Sequence, residues 1–213
     1  ILVQSEALKS VQDNTALRKI DKKRLEVKLD YILEDAKILL KESLDGSDRV
    51  KKIVHELNSF SRMDEEEYKK ADINECIESA ITIVWNELKY KSKLEKNYGS
   101  LPPTMCYLRQ MNQVFVNLLI NAVNAIVEKG VIAVKTWYRD GFIWIEVSDT
   151  GIGIPGKNLA RIFEPFFTTK EAGKGTGLGL SITYEIIQRH KGEITVASEA
   201  GEGTTFTIKI PVV

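Results

Sequence analysis

The sequence has 213 residues, of which 43% are hydrophobic and 28% are charged, so it can bury one sizeable core with a smaller helical element beside it. Thirty basic residues balance thirty acidic ones, and this zero net charge argues against nucleic acid or an anionic membrane as a partner. The two cysteines, Cys76 and Cys106, are too few for a disulfide framework and lack metal-ligand spacing, which favours a reducing, cytoplasmic setting.

The longest apolar stretch, residues 114–127, is interrupted by three asparagines. It cannot supply the roughly 20 apolar residues that a membrane-spanning helix needs, so we expect no membrane contact by this segment. The first residue is Ile1 rather than methionine, and we expect the chain to be a fragment of a longer protein.

The N-terminal part is predicted to be helical. Apolar residues recur at helical spacing between Leu17 and Leu44, and Asp45–Asp48 is expected to end this helix before a second one that runs to about Arg62. Such stripes either pack on a globular domain or pair in dimeric helical bundles. We predict a partial helical hairpin over residues 1–62, a charged linker over 63–70 and a globular domain over 71–213.

The globular domain is predicted to alternate helices with antiparallel hairpins. A helix that buries Cys76 as a packing residue comes first. The further predicted elements are a strand near Leu94–Tyr98, a helix over Leu108–Val127, strands over Val131–Tyr138 and Phe142–Ser148, a lid-like loop over Thr150–Thr176, a helix over Leu178–His190, and strands over Glu193–Ser198 and Thr204–Pro211. This order predicts an α+β fold: an α/β sandwich with a mixed, largely antiparallel sheet covered by helices on one face.

Three clusters of residues are candidates for ligand binding, and the first is a set of asparagines on the long helix. Asn117 and Asn121 are four residues apart and therefore project from one helix face, with Asn124 close by. Buried amides can serve the fold through hydrogen bonds, but an amide oxygen also suits Mg²⁺. The cluster alone leaves both interpretations open.

The second cluster, 149–154, directly follows a predicted strand. Asp149 can accept a hydrogen bond from an exocyclic amine, and Gly151 and Gly153 leave room for a flat ligand such as adenine. A strand-ending turn capped by Asp149 is the alternative.

The third cluster is the glycine-rich segment 173–180, which runs directly into a helix. Free backbone N–H groups together with the helix dipole favour phosphate binding there. A flexible linker is the alternative, although Leu178 and Leu180 anchor one end of the segment in the predicted core.

Taken together, these motifs resemble the sensor histidine kinases of two-component signalling, within the superfamily that includes DNA gyrase and mismatch-repair ATPases. The segment 117–124 resembles the N box, 149–153 the first glycine box, 163–167 the F box, and 175–180 the second glycine box. The resemblance covers about residues 47–213, and all four motifs occur in the order typical of the family.

The resemblance implies ATP and Mg²⁺ as cofactors. It assigns Mg²⁺ to Asn121, the metal and phosphates to Asn117, adenine to Asp149, and the γ-phosphate to Lys170 in the lid. The implied ATP-binding residues are Asn117, Asn121, Asn124, Asp149, Gly151, Gly153, Ile154, Lys170, Gly175, Thr176, Gly177, Leu178, Gly179, Leu180 and Thr204. Catalysis would depend mainly on positioning and charge neutralisation.

A kinase of this class needs a phosphoacceptor histidine, and the chain has only His55 and His190. His190 closes a helix, where it suits the C-terminal dipole. His55 lies too close to Asn121 to leave room for the helical hairpin that normally follows the acceptor. We therefore expect the acceptor to lie upstream of Ile1.

The resemblance implies an ATP-dependent protein-histidine kinase that is homodimeric through its helical hairpin and relays phosphate to the receiver domain of a response regulator. Two alternatives remain at this stage: an ATP-driven conformational ATPase of the same superfamily, and a non-catalytic nucleotide-sensing module.

Overall fold

The computed structural model describes residues 17–61, 67–170 and 175–213, and for 48, 49, 52, 53 and 55–61 it describes the backbone only. The chain divides into two compact units, Ile1–Lys51 and Lys52–Val213. In the part of the chain that the structure describes, none of the helices combines the length and apolarity needed to cross a membrane.

The first unit contains helix α1, over residues 17–26, and most of helix α2 (Leu29–Ser61), joined by a turn in which Lys28 has a φ of 50°. The break expected at Asp45–Asp48 is wrong, because α2 continues through it. The apolar residues on either side, such as Leu40 and Val54, fall on the same helix face, so a single helix keeps the stripe continuous. One glycine in an exposed helix costs only about 1 kcal/mol, which the helix tolerates at Gly46.

The second unit is built on a five-stranded sheet with the strand order β2-β4-β5-β7-β6 and on a separate two-stranded sheet, β1-β3. Strand β2 is parallel to β4, and the other neighbours are antiparallel. The strands are β1 (Tyr68–Ala71), β2 (Ser92–Tyr98), β3 (Thr104–Tyr107), β4 (Gly130–Arg139), β5 (Phe142–Asp149), β6 (Glu193–Glu199) and β7 (Gly203–Pro211). The predicted mixed, largely antiparallel sheet is confirmed.

Helices cover one face of this sheet. They are α3 (Ile73–Lys91), α4 (Leu108–Ala125), the short α5 (Gly156–Leu159) and α6 (Gly179–Arg189). Strand side chains alternate accordingly: Ile143, Ile145 and Val147 of β5 are buried in the core, whereas Trp144 and Glu146 between them are partly exposed. The α/β sandwich is confirmed, and Cys76 is a buried packing residue of α3, as expected.

The sequence correctly predicts the turn between β4 and β5 but does not predict strand β1. Asp140 and Gly141 have φ values of 52° and 83°, as a type I′ hairpin turn requires, so the predicted β4–β5 hairpin is confirmed. Strand β1, in contrast, lies largely within the stretch expected to be a linker. Its residues Tyr68, Lys69 and Lys70 are exposed and show no alternation, and pairing with the remote strand β3 makes them a strand.

Candidate functional site

The long helix and the glycine-rich segment meet at Asn117. Its amide Nδ2 donates to the carbonyl oxygen of Gly179 at 3.0 Å and to Thr183 Oγ1 at 3.3 Å. Asn117 is thereby tied to the first turn of α6. Asn121, one helical turn further along α4, is half-buried, while Asn124 is exposed.

The start of α6 offers backbone N–H groups to an anion. The N-cap residue is Leu178, whose side chain makes no capping hydrogen bond. The first N–H groups of a helix have no partner within the helix, and the positive end of the helix dipole lies there. Such an end is suited to phosphate groups. Gly173 and Lys174, which precede it in the predicted segment, lie outside the described residues.

Gly175 and Gly177, directly before α6, lie close to residues 166–170. A Cβ on Gly177, whose φ is 70°, would lie 2.4 Å from the carbonyl carbon of Phe166. A Cβ on Gly175 would lie 2.9 Å from Thr168 Oγ1 and 3.2 Å from Cδ of Lys170. Lys170 is exposed, but partial desolvation of its ammonium group lowers the pKa of that group, so a nearby phosphate would stabilise its charged form.

Asp149 ends β5 and is paired in register with Thr204 of β7. Its Oδ1 accepts a hydrogen bond from the N–H of Gly151 at 2.8 Å. Burial raises the pKa of this carboxyl group above its ordinary value, whereas the backbone N–H groups of Gly151 and Thr204 oppose the shift. The result is a partly desolvated acceptor held in a fixed position, as recognition of an exocyclic amine requires.

The glycines around Asp149 let backbone segments approach closely. A Cβ on Gly151 would lie 2.6 Å from backbone atoms of Ala125 at the end of α4. Gly153 has a φ of 66°, and its Cβ would lie 1.9 Å from the carbonyl oxygen of Glu199. Gly151 and Gly153 are predicted from the sequence to leave room for a base; in the structure they also allow this loop to approach α4 and the β6–β7 turn.

Ser198, which belongs to none of the sequence motifs, lies at the centre of a hydrogen-bond network at the candidate site. Its Oγ accepts from the N–H of Ile154 at 2.8 Å, donates to the carbonyl oxygen of Gly203 at 2.7 Å, and lies 3.0 Å from Thr204 Oγ1. Ser198 thus connects the first glycine box to the β6–β7 turn and to Thr204. A lone serine near the end of a strand carries no motif, so only the Gly203-Thr204 pattern pointed to this region.

The two histidines have different surroundings. His190 is buried, with Nδ1 2.8 Å from the carbonyl oxygen of Ile186 and Nε2 accepting from the N–H of Tyr107 at 3.0 Å. Its expected structural role at the end of α6 is confirmed, because both ring nitrogens have partners within the fold. His55 lies within α2, and its side chain is outside the described part of the structure.

The donor set fits Mg²⁺ only when a phosphate ligand helps to hold it. Among residues 17–61, 67–170 and 175–213, no cluster of three or more His, Cys, Asp or Glu side chains could hold a metal ion. Mg²⁺ commonly takes few protein ligands and completes its shell with water and phosphate oxygens. The amide oxygen of Asn117, beside the start of α6, and that of Asn121, one turn further along α4, are the kind of ligand that such a site uses.

Residues 107–213 match the family described as histidine kinase-, DNA gyrase B- and HSP90-like ATPases. The chain belongs to that family. Its relatives include a sensor kinase: the chain is 39% identical over 182 residues to the sensor kinase CckA of Brucella abortus, a match that covers 78% of this chain and 19% of CckA. The chain thus spans about a fifth of the length of this relative.

Solved structures of histidine kinases share the fold. Full-length ShkA in complex with AMPPNP is 25% identical, with a TM-score of 0.68 over 78% of this chain and 36% of ShkA. Histidine kinase ThkA in complex with the response regulator protein TrrA is 26% identical, with a TM-score of 0.65 over 78% of this chain and 48% of ThkA. The catalytic domain of ThkA alone is 30% identical, with a TM-score of 0.62 over 68% of this chain and 96% of that domain.

Proposed function

We propose that this chain is the catalytic core of a sensor histidine kinase, which binds Mg-ATP and transfers the γ-phosphate to a protein histidine. The observation that carries the proposal is the bond from the Asn117 amide on α4 to Gly179 at the start of α6. It places a carboxamide suited to Mg²⁺ beside a helix start suited to phosphate. The nucleotide bound by the relative ShkA is further support.

Each part of the site has one task in this proposal. Asp149 accepts a hydrogen bond from adenine, and Ser198 and Thr204 hold the loop that borders the base. Asn121, helped by Asn117, binds Mg²⁺ between the phosphates. The start of α6 and Lys170 neutralise phosphate charge, so that the protein acts by positioning and electrostatic stabilisation. Gly151, Gly153 and Ile154 border the base in this arrangement.

Residues 175–180, at the end of the lid and the start of α6, would surround the triphosphate. They would contribute mostly backbone groups, from Gly175, Thr176, Gly177, Leu178, Gly179 and Leu180. Asn124, the most exposed of the three asparagines, would lie at the rim of the site.

We further propose a homodimer and a response regulator receiver domain as partners, with the catalytic region in the cytoplasm. The dimer is supported by exposed apolar side chains of the first unit, where solvent contact is unfavourable. They include Leu25, Leu29, Ile32, Leu33, Leu39, Leu40 and Leu44. The regulator is supported by the complex of the relative ThkA with TrrA.

Calorimetry and label transfer test the proposal. The chain should bind ADP more tightly with Mg²⁺ than with EDTA, and Asp149→Ala should weaken ADP binding by about tenfold or more, the value of a charge-assisted hydrogen bond. The control is Asp140→Ala, in the exposed β4–β5 turn, which should bind as the wild type does. Absence of nucleotide binding by the wild-type chain contradicts the proposal.

The phosphoacceptor is tested with γ-labelled ATP. We expect the chain to gain no acid-labile, base-stable label on His190, because that ring is buried and both its nitrogens are bonded. Label that disappears in His55→Ala would identify His55 as the acceptor, contrary to our expectation. The full-length protein should pass its label to a cognate receiver domain, whereas an ATPase that only changes conformation would release inorganic phosphate.

A further inference from the structure

We propose that Thr183 is a positioning residue for magnesium-dependent nucleotide binding: its buried hydroxyl holds the Asn117 amide so that the amide oxygen is directed at the metal and the phosphates. This inference rests on the proposed function and assigns a role to a residue outside all four motifs. Thr183 lies within α6, the helix that follows the glycine segment, one helical turn after Gly179.

The hydroxyl of Thr183 has two partners. It donates to the carbonyl oxygen of Gly179 at 2.9 Å, one turn earlier in α6, and accepts from Nδ2 of Asn117 at 3.3 Å. The same Nδ2 also donates to Gly179 O at 3.0 Å. Thr183 is 0% exposed, so water does not compete for these bonds.

These bonds decide which way the Asn117 amide faces. A carbonyl oxygen such as Gly179 O can only accept, so the –NH₂ group must lie on the side of α6. Gly179 O and Thr183 Oγ1 are themselves hydrogen-bonded to each other, so they lie on the same side of Nδ2 and together accept from it. The oxygen Oδ1 must occupy the other branch of the amide, where it can act as a ligand. A reversed amide would offer N–H groups to a cation, which repels them.

Removal of the hydroxyl should therefore affect the metal more than the base. Thr183→Val keeps the branched shape but removes one of the two acceptors of Nδ2, so Gly179 O alone holds the Asn117 amide and the amide can rotate more freely. Asp149 and Ser198, at the adenine end, are unchanged. A neutral hydrogen bond corresponds to about a fivefold change in an equilibrium constant, and this sets the expected size of the effect.

The test measures ADP affinity by calorimetry, with Mg²⁺ and with EDTA, for the wild-type chain, Thr183→Val and Thr183→Ser. Thr183→Val should weaken binding about fivefold in Mg²⁺ and leave it unchanged in EDTA. Thr183→Ser keeps the hydroxyl and should restore the affinity in Mg²⁺. The matched control is Thr104→Val, since Thr104 is also buried and its hydroxyl donates to Pro211 O at 3.2 Å and accepts from the N–H of Val213 at 3.0 Å.

A double-mutant cycle separates positioning from general stability. In an Asn117→Ala background, Thr183→Val should cause no further loss of Mg²⁺-dependent affinity, because no amide remains to be held. Equal losses in Mg²⁺ and EDTA, a similar loss in Thr104→Val, or additive losses in the cycle would overturn the inference. If the wild-type chain itself bound no nucleotide, the proposed function would fail instead, so the two failures are distinguishable.

Discussion

Nε2 of His190 lies 3.0 Å from the backbone nitrogen of Tyr107, although 83 residues separate the two in the chain. Tyr107 is the N-cap residue of α4, and His190 is the C-cap residue of α6. Since Nε2 accepts this bond, Nδ1 carries the proton and donates to Ile186 O. One imidazole ring therefore joins the start of the asparagine-bearing helix to the end of the helix that begins at the glycine segment.

Replacing His190 by alanine should destabilise the second unit by about 1–3 kcal/mol, because the N–H of Tyr107 loses its acceptor and a cavity remains. Urea unfolding measures the change. Glu185→Ala, at an exposed position on the same helix, is the control and should change the free energy of unfolding by less than about 0.5 kcal/mol. Equal effects of the two substitutions would show that the His190–Tyr107 bond contributes little.

Asp149 should make the free energy of unfolding of the domain depend on pH. Its folded-state pKa is raised by burial from the ordinary value of 3.8, so above that value the folded state holds a proton that the unfolded state has released. Folding stability from this group therefore falls as the pH rises from about 4 until the raised pKa has been passed. The free energy of unfolding of the nucleotide-free protein, followed from about pH 4 to about pH 7, should decrease more in the wild type than in Asp149→Asn. Parallel curves would contradict the expectation.

Gly153→Ala tests the packing of the first glycine box against the β6–β7 turn. The new Cβ would lie 1.9 Å from Glu199 O, and the φ of 66° already disfavours a side chain. We expect a loss of more than about 3 kcal/mol, or failure to fold. Gly141→Ala is the matched control: its φ is 83°, but nothing lies within 4 Å of the added atom, so only the backbone strain of about 1–2 kcal/mol remains. Comparable thermal unfolding temperatures for the two variants would contradict the role of the close approach.

Ser198→Ala should weaken nucleotide binding from the adenine side. It leaves the N–H of Ile154 and the carbonyl oxygen of Gly203 without their partner, so the loop beside Asp149 loses its attachment to the turn. We expect ADP affinity to fall about fivefold, equally with and without Mg²⁺, in contrast to the selective effect at Thr183. Ser79→Ala, which removes only a bond to Glu75 O on the exposed side of α3, is the control and should bind as the wild type does.

The fold could be predicted from the sequence wherever neighbouring residues carry the signal. Alternating isoleucines and valines predicted β5, and the Asp140-Gly141 pair predicted its hairpin. Strand β1 could not be found, because its pairing partner lies more than thirty residues away and its own residues show no alternation. The helix break was placed at Asp45–Asp48 because glycine and aspartate favour turns locally, whereas the continuous apolar face favours one helix.

In the candidate site, too, the sequence reveals residues that form local motifs but not residues whose partners are remote in the chain. Four motifs contain the residues proposed to bind nucleotide, since glycines and asparagines at fixed spacing are visible without a structure. Ser198 and Thr183 were missed because their roles depend on Ile154 and Asn117, 44 and 66 residues away. Their importance lies in which remote groups they meet, and a single sequence does not contain that information.

Leu178, at the start of α6, affects hydrogen exchange in the first turn of this helix when no nucleotide is bound. Because Leu178 offers no side-chain oxygen, no side chain caps the backbone N–H groups in the opening turn of α6. If the proposed phosphate contacts form there, nucleotide binding would also complete the hydrogen bonds of that turn. Amide protons of the first turn should exchange with deuterated solvent far more slowly in the loaded protein, while those of β5 and β7 exchange at rates that the ligand hardly alters.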